Sequence, residues 1–259
     1  VPKPILLAQL SDLHICDEWE GVDPTARVER VVETILSLPD PVDGVVVTGD
    51  LTDDGSEEGY RRVRRLLRSF EVPLHVLPGN HDDRARLREA FGLPGTGEEP
   101  INYSVELGEL RIVAFDSIVP GQDSGAYGEE QLRWLDEELA RASESPTLLA
   151  LHHPPLVTGL PGWDAINLPP TDREALARVV EKHPQLRAIV GGHLHRTAAS
   201  ALAGCPVLSA PSACLQALPG FDNDDVDFID PPGFALHVYL GGDFSSQAQL
   251  LGPSDLGKQ

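Results

Sequence analysis

The feature that most constrains this chain is a change of rhythm about two-thirds of the way along it. Up to about residue 190, apolar runs of strand length alternate with stretches that repeat at helical spacing. Ile5–Leu10 (ILLAQL), Gly44–Thr48 (GVVVT), Leu74–Leu77, Leu148–Leu151 and Ala188–Val190 are short apolar runs, the pattern of strands covered on both faces. Between them, Pro24–Leu38, Ser56–Phe70, Asp83–Phe91, Glu129–Ala142 and Thr171–Lys182 read as helices. Val28, Val31, Val32, Ile35 and Leu36 recur at helical spacing in the first, and Pro24 suits its opening turn. Within Ile101–Ser117, two strand-like runs flank a tight Gly-Glu turn and predict an antiparallel hairpin. After residue 197, Ala198–Leu202, Pro206–Ala210, Phe234–Leu240 and Gln247–Leu251 follow as strands with no helix between them. Alternation followed by a meander predicts an α/β fold of four layers, two packed mixed β-sheets flanked by helices, and not one doubly wound sheet. The acidic, turn-rich segment Pro219–Gly233 is expected to be an ordered loop or flap, because strands resume after it. A single domain over residues 1–259 is the economical expectation, with a core at about 5–196 and strands plus the acidic loop at about 197–259.

Charge narrows the function classes. Twenty basic against 41 acidic side chains give a formal net charge of −21. Neutralising duplex nucleic acid takes clustered Lys and Arg, and docking on anionic lipid takes polybasic segments, so neither partner is expected. The arginines of one helix (Arg61, Arg62, Arg64, Arg65 and Arg68) lack interleaved aromatics and read as a solvated face. No run of 18 apolar residues is present to span a membrane. The N-terminal apolar run reads as a first strand and not as a secretory leader. Three scattered cysteines, Cys16, Cys205 and Cys214, read as reduced thiols. Together these predict a cytoplasmic protein acting on a small ligand.

Five short motifs stand at the carboxyl ends of predicted strands: Asp12-Leu13-His14, Gly49-Asp50, Gly79-Asn80-His81-Asp82, His152-His153-Pro154-Pro155 and Gly192-His193-Leu194-His195. Layered α/β proteins bind ligands just outside those ends, so residues far apart in sequence are expected to share one site. Asp, Asn and His without Cys form a donor set for hard to borderline divalent ions, and the Asn oxygen argues against a closed structural zinc site. Asp-x-His and His-x-His place both side chains of each pair on one side of an extended segment. Taken singly, Asp12, Asp50 and Asn80 also read as caps or turn formers. It is the set, in order, that reads as a metal site.

The ordered set DLH, GD, GNHD, HHPP, GHLH resembles the calcineurin-like metallophosphoesterase superfamily. Within it, the sequence looks most like bacterial class III cyclic-nucleotide phosphodiesterases and related glycerophosphodiesterases. The resemblance runs from about Leu7 to His195 and continues into Ala210–Cys214 (APSAC). It implies two divalent ions (Mn, Fe, Zn or Co), with Asp12, His14 and His195 on the first. Asp50 bridges, and Asn80, His152 and His193 complete the second; His152 is preferred to His153 by the x-His-x-Pro pattern. His81 would lie beside the substrate phosphate, oriented by Asp53. The implied reaction is in-line attack of a metal-bridging hydroxide on a small phosphodiester, with cyclic nucleotides such as cAMP first. A glycerophosphodiesterase or promiscuous phosphodiesterase is the alternative, and a non-enzymatic interaction module on the same fold is the alternative of another class. The protein Ser/Thr phosphatase branch resembles GDxxDRG, whereas this chain reads GDLTDDG with Asp54 in the arginine's place. Relatives often dimerise, so a homodimer stays open. The loops Ile118–Tyr127, Gly159–Pro170 and Gly220–Pro232 are expected to decide the substrate, with Tyr127, Trp163 and Phe221 as candidate base-stacking aromatics.

Overall fold

The computed structural model describes residues 3–219 and 226–252. Two mixed sheets dominate it. The first carries β1 (Ile5–Leu10), β2 (Gly44–Thr48) and β3 (Leu74–Leu77) in parallel, extended on the β1 side by antiparallel β12 (Gly233–Leu240) and β13 (Asp243–Leu250). The second has the order β4 (Tyr103–Leu107), β5 (Leu110–Ala114), β6 (Thr147–Ala150), β7 (Leu186–Gly191), β9 (Cys205–Ser209), β8 (Ala198–Leu202). Its four inner strands β5, β6, β7 and β9 run parallel, and each edge strand is antiparallel.

Period-two alternation explains how the sheets face each other. In β1 and β2, Leu7 and Val46 point inward and meet Ile112, Leu148, Ala150 and Val190 of the second sheet in one apolar layer. Their sequence neighbours Ala8, Val45 and Val47 point outward. They pack under α1 (Pro24–Leu36), α2 (Glu57–Leu67) and α3 (Arg84–Phe91) through Val28, Val31, Val63 and Leu87. The second sheet buries Val113, Leu149, Ile189 and Val207 under α4 (Glu129–Ala140), α5 (Pro161–Ile166) and α6 (Pro170–Val180). The layers are therefore helix, sheet, sheet, helix, as the change of rhythm predicts.

Two elements depart from the sequence expectation. Helix α5 lies in a stretch read as loop. It begins at a proline, has no side-chain cap and spans only six residues, too short to show a helical period. The segment expected as a loop or flap instead forms a ribbon with the residues just before it, β10 (Gln216–Pro219) pairing antiparallel with β11 (Val226–Ile229). Residues 220–225, including Phe221, lie outside the described residues.

One polar connection crosses the apolar layer. The buried Gln9 side-chain amide donates to Thr48 Oγ1 (2.7 Å) and to the Gly191 carbonyl of the opposite sheet (2.9 Å). Its oxygen accepts from His237 Nε2 (2.9 Å), whose Nδ1 accepts from Ser246 Oγ (2.6 Å). Every polar atom in this chain of contacts has a partner, the condition for burying such groups without a large penalty. Among the described residues, no helix is long and apolar enough to cross a membrane.

Candidate metal centre

The loops leaving β1, β2, β3, β6 and β7 converge at one end of the two sheets. The first two stay paired beyond their strands: Asp12 N–H donates to the Gly49 carbonyl, and the Leu13 and His14 N–H groups donate to the Asp50 carbonyl, at 2.8–3.1 Å. Of the seven non-glycine residues with positive φ among the described residues, five lie here: Asp12 (54°), His14 (46°), Asp50 (50°), His193 (66°) and His195 (48°). Left-handed backbone at non-glycine residues costs about 1–3 kcal/mol each and collects at functional sites. Bulk is excluded as well: a Cβ at Gly79 would stand 2.2 Å from Asp50 Oδ1. The glycine of GNHD thus lets the β3 loop approach the Asp50 carboxylate.

The sequence candidates meet in three dimensions. The donor atoms of Asp12, His14, Asp50 and His195 all lie within 4.8 Å of one another, as do those of His152, His153 and His193. Asp50 Oδ2 stands between the groups, 3.6 Å from His14 Nε2 and 3.4 Å from His152 Nε2. Asn80 Oδ1 is 3.0 Å from His152 Nε2 and 3.2 Å from His193 Nδ1. His81 is half-buried at the open side.

The pattern of protons argues for cations. His14 Nδ1 donates to Asp53 Oδ1 (3.1 Å), His152 Nδ1 to the Thr48 carbonyl (2.8 Å) and His195 Nδ1 to the Leu215 carbonyl (3.1 Å). In neutral rings each Nε2 is then left with a lone pair. Yet His14 Nε2 and His195 Nε2 face each other at 3.1 Å, and His195 Nε2 faces Asp12 Oδ1 at 3.6 Å. Asp12 Oδ2 and His193 Nε2 are buried with no partner at all. Converging lone pairs and orphaned buried atoms cost free energy unless positive charge sits among them. The residues present fit divalent ions, and outward N–H groups held by carbonyls and a carboxylate are what orients metal-binding imidazoles.

Titration follows the same geometry. Burial would raise the Asp50 carboxyl, but His152, His14 and His81 around it hold it well below the usual carboxylate range. Burial works against protonating His152, yet Asp50 and Asp12 push its imidazole up to about 9. Burial likewise opposes charge on His81, and Asp50 and Asp53 raise it nonetheless. His153 differs: burial, reinforced by His152, pushes it down to about 3.

Several details differ from the sequence reading. The Asp53 carboxylate lies nearer His14 (3.1 Å) than His81 (3.4 Å), and His81 Nδ1 donates to the Asp53 backbone carbonyl at 2.9 Å. Asp53 therefore orients one ring through its carboxylate and the other through its main chain. Tyr127 is no rim residue, being buried and stacked on Phe115 at 4.5 Å. Trp163 does reach the centre, 5.9 Å from His193 ring to ring. Sequence reasoning missed Trp19, which stacks flat on His14 at 4.3 Å; its one signal is its place five residues after His14. It also gave no role to Asp82, although Asp82 stands in GNHD. That buried carboxylate accepts from the Leu51, Thr52 and Gly79 N–H groups and from Tyr60 Oη, at 2.9–3.3 Å, tying the Asp50 loop to the β3 loop. Burial, aided by the charge on Asp50, pushes it up to about 6.

Comparisons with known proteins agree with this geometry. The profile of the calcineurin-like phosphoesterases matches residues 5–197. The chain is 32% identical over 231 residues to the 3′,5′-cyclic adenosine monophosphate phosphodiesterase CpdA of Pseudomonas aeruginosa, covering 88% of this chain and 83% of that protein. It is 31% identical to a probable glycerophosphodiester phosphodiesterase GpdQ of Arcobacter nitrofigilis, covering 91% and 89%. Among solved structures, a dimetal phosphatase from Danio rerio superposes with a TM-score of 0.72 at 17% identity, covering 95% of this chain and 96% of that one. With the match spanning all five motifs, the chain belongs to the calcineurin-like phosphoesterases, hydrolases of phosphate esters that work with two divalent metal ions.

Proposed function

We propose that the chain hydrolyses small phosphodiesters, with 3′,5′-cyclic nucleotides such as cAMP as the first substrate class. Asp12, His14 and His195 would hold one ion, Asn80, His152 and His193 the other, and Asp50 would be shared. The observation that carries this reading is Asp50 Oδ2, placed between His14 Nε2 and His152 Nε2 and beside the open side where His81 stands. When bound, two divalent ions supply Lewis acidity toward phosphoryl oxygens and acidify water. The chain's own residues do the rest. His81 is held through Nδ1 by the Asp53 carbonyl, is raised above its ordinary value by Asp50 and Asp53 against burial, and lines the cavity beside Asn80. It would donate to a phosphoryl oxygen or pass its proton to the leaving alkoxide. With Asn80 Oδ1 turned toward His152 and His193, its amide N–H groups would be offered to the same oxygens.

Relatives named as cyclic-nucleotide phosphodiesterases support the first substrate class. A specific observation favours glycerophosphodiesters as the second reading. The cavity of about 240 Å³ beside Asn80 and His81 is lined mainly by polar groups, including Asp54, Arg86 and Glu98. Turnover of cAMP, cGMP, glycerophosphodiesters and phosphomonoesters with defined Mn, Fe, Zn or Co separates these readings. Activity on phosphomonoesters alone would overturn the diesterase proposal. Purified protein without bound divalent ion or diester hydrolysis would favour a non-enzymatic module on this fold. The strong acid excess argues against duplex nucleic acid as substrate. A cytoplasmic location completes the proposal, tested by fractionation, and sedimentation decides between monomer and homodimer.

A further inference from the structure

The loop after β5 closes on itself around a histidine that takes no part in the proposed metal set. The Ala126 N–H donates to the Ser117 carbonyl (3.0 Å), so the two ends of the 117–126 loop meet, as in a compact Ω-loop. Its interior is filled by His153. Ser117 Oγ donates to His153 Nδ1 (2.8 Å) and accepts from the His153 backbone N–H (3.2 Å); His153 Nε2 donates to the Asp123 carbonyl (2.9 Å). The fit is tight: a Cβ at Gly125 would stand 2.6 Å from His153 Nδ1 and 2.9 Å from the Ser117 carbonyl. At the loop's entrance, buried Arg84 grips Asp116 through two contacts (2.7 and 3.0 Å) and donates to the Ile118 carbonyl (2.7 Å). Asp116 also accepts from the Ile118 and Ile101 N–H groups. The tip is a turn, Gln122 N–H to the Val119 carbonyl (3.0 Å). Ile118, Pro120 and Gly121 of this loop form one wall of the cavity whose other side includes Asn80 and His81.

We propose that this cavity receives the hydroxylated organic arm of the substrate, a glycerol or ribose esterified to the phosphate, and that His153 is a positioning residue fixing its wall. The inference rests on the diesterase reading above. Carboxylates and a guanidinium at Asp54, Glu98 and Arg86 offer acceptors and donors to a free hydroxyl, two on the glycerol of glycerophosphocholine and the single 2′-hydroxyl of cyclic AMP. His153 is fully buried and spends both ring nitrogens on the loop, so its hydrogen bonds reach the substrate arm through Ile118, Pro120 and Gly121. Its ring also packs 4.4 Å from that of His193, a contact whose loss would show in metal content and kcat and not in the KM of one substrate class. A polar site rejects a ligand lacking matching groups more sharply than an apolar one does.

The test compares His153→Ala and His153→Gln in the metal-loaded enzyme on glycerophosphocholine, cyclic AMP and bis(p-nitrophenyl) phosphate, whose arms carry no hydroxyl. His153→Ala is expected to raise KM about 10-fold for whichever hydroxylated diesters the enzyme uses. Its kcat and its KM for bis(p-nitrophenyl) phosphate should change less than about twofold, with metal content intact. Amide exchange at Ala126 should quicken, and His153→Gln, which keeps an N–H donor, should restore part of both effects. The relative KM of glycerophosphocholine and cyclic AMP tells which arm is held. An equal change on all three substrates, a fall in kcat alone, or unaltered exchange overturns the proposal. Should His153→Ala not fold, Pro120→Trp at the exposed tip must raise KM for the hydroxylated diesters, and an unchanged KM overturns the proposal equally. Failure of the wild-type enzyme on all three diesters overturns the diesterase reading and this inference with it. A variant that does not discriminate among them overturns only the inference.

Discussion

The cradle of the metal centre and the rim around it are built by different means. Cradle residues follow parallel strands after two to four positions, Asp12 after β1, Asp50 after β2, His152 after β6 and His193 after β7 each by two. Their placement is a matter of strand register and of left-handed backbone at five positions. Rim residues come from longer excursions, the 117–126 loop, helix α5 and the β10–β11 ribbon, held by distant side chains such as His153 and Arg84. Short loops on a rigid scaffold fix chemistry, and longer ones can change their specificity without disturbing it.

Substitutions can break or sharpen this contrast. The largest effect is expected from Asp50→Ala in the cradle. It should lower kcat/KM on bis(p-nitrophenyl) phosphate by about 10³-fold or more, with loss of bound metal by elemental analysis. Full activity in that variant would refute the shared role of Asp50. Next, His81→Asn stands where cradle meets rim and should cost about 10²-fold in kcat while metal content holds. Arg84→Ala should leave buried Asp116 with its two N–H donors but no counter-charge and destabilise by about 3–5 kcal/mol in urea unfolding, while metal content stays whole at low denaturant. Asp53→Ala frees the His14 ring and should weaken metal binding by about 10-fold, measured by titration of metal-stripped protein.

The effect with the least expected bearing on activity concerns His237, which lies under the cradle in the apolar layer and bonds to Gln9. Burial pushes its imidazole down to about 4, against about 6.5 unfolded. Between those values the unfolded chain takes up a proton that the folded chain refuses. Stability from this group is therefore complete above about pH 6.5 and drains away as pH falls toward 4. From pH 7 to 5 the loss is about 2 kcal/mol. His237→Gln should flatten that part of the pH–stability profile relative to wild type, and parallel profiles would rule the contribution out.

Legibility in the sequence follows the same division. Strand-length apolar runs located β1, β2 and β3 to the residue, because a strand covered on both faces leaves a contiguous signature. The clustering of the cradle residues was legible because each proposed ligand is tied to a strand end by a few residues. Geometry added what spacing cannot carry: that the Asp53 carboxylate turns toward His14, that Asp82 clamps two loops, and that Trp19 lies flat on a ring. Those are side-chain choices among neighbours brought together only by folding. Tyr127 shows the converse. An aromatic in a loop looks available for stacking, but the fold turns it against Phe115.

Gln9 gives the cradle a mechanical character. Asp12, His14, Asp50 and Asn80 hang from one sheet, and His152, His193 and His195 from the other. The separation of the two sheets thus acts as a calliper on the two halves of the donor set. Gln9 pins the jaws two residues below Ser11 and three below Asp12, against the carbonyl of Gly191 just ahead of Gly192-His193. A core substitution there, such as Gln9→Leu, would reach the chemistry as a changed gap without touching a ligand. Magnetic coupling between two paramagnetic ions would register it before any loss of folding.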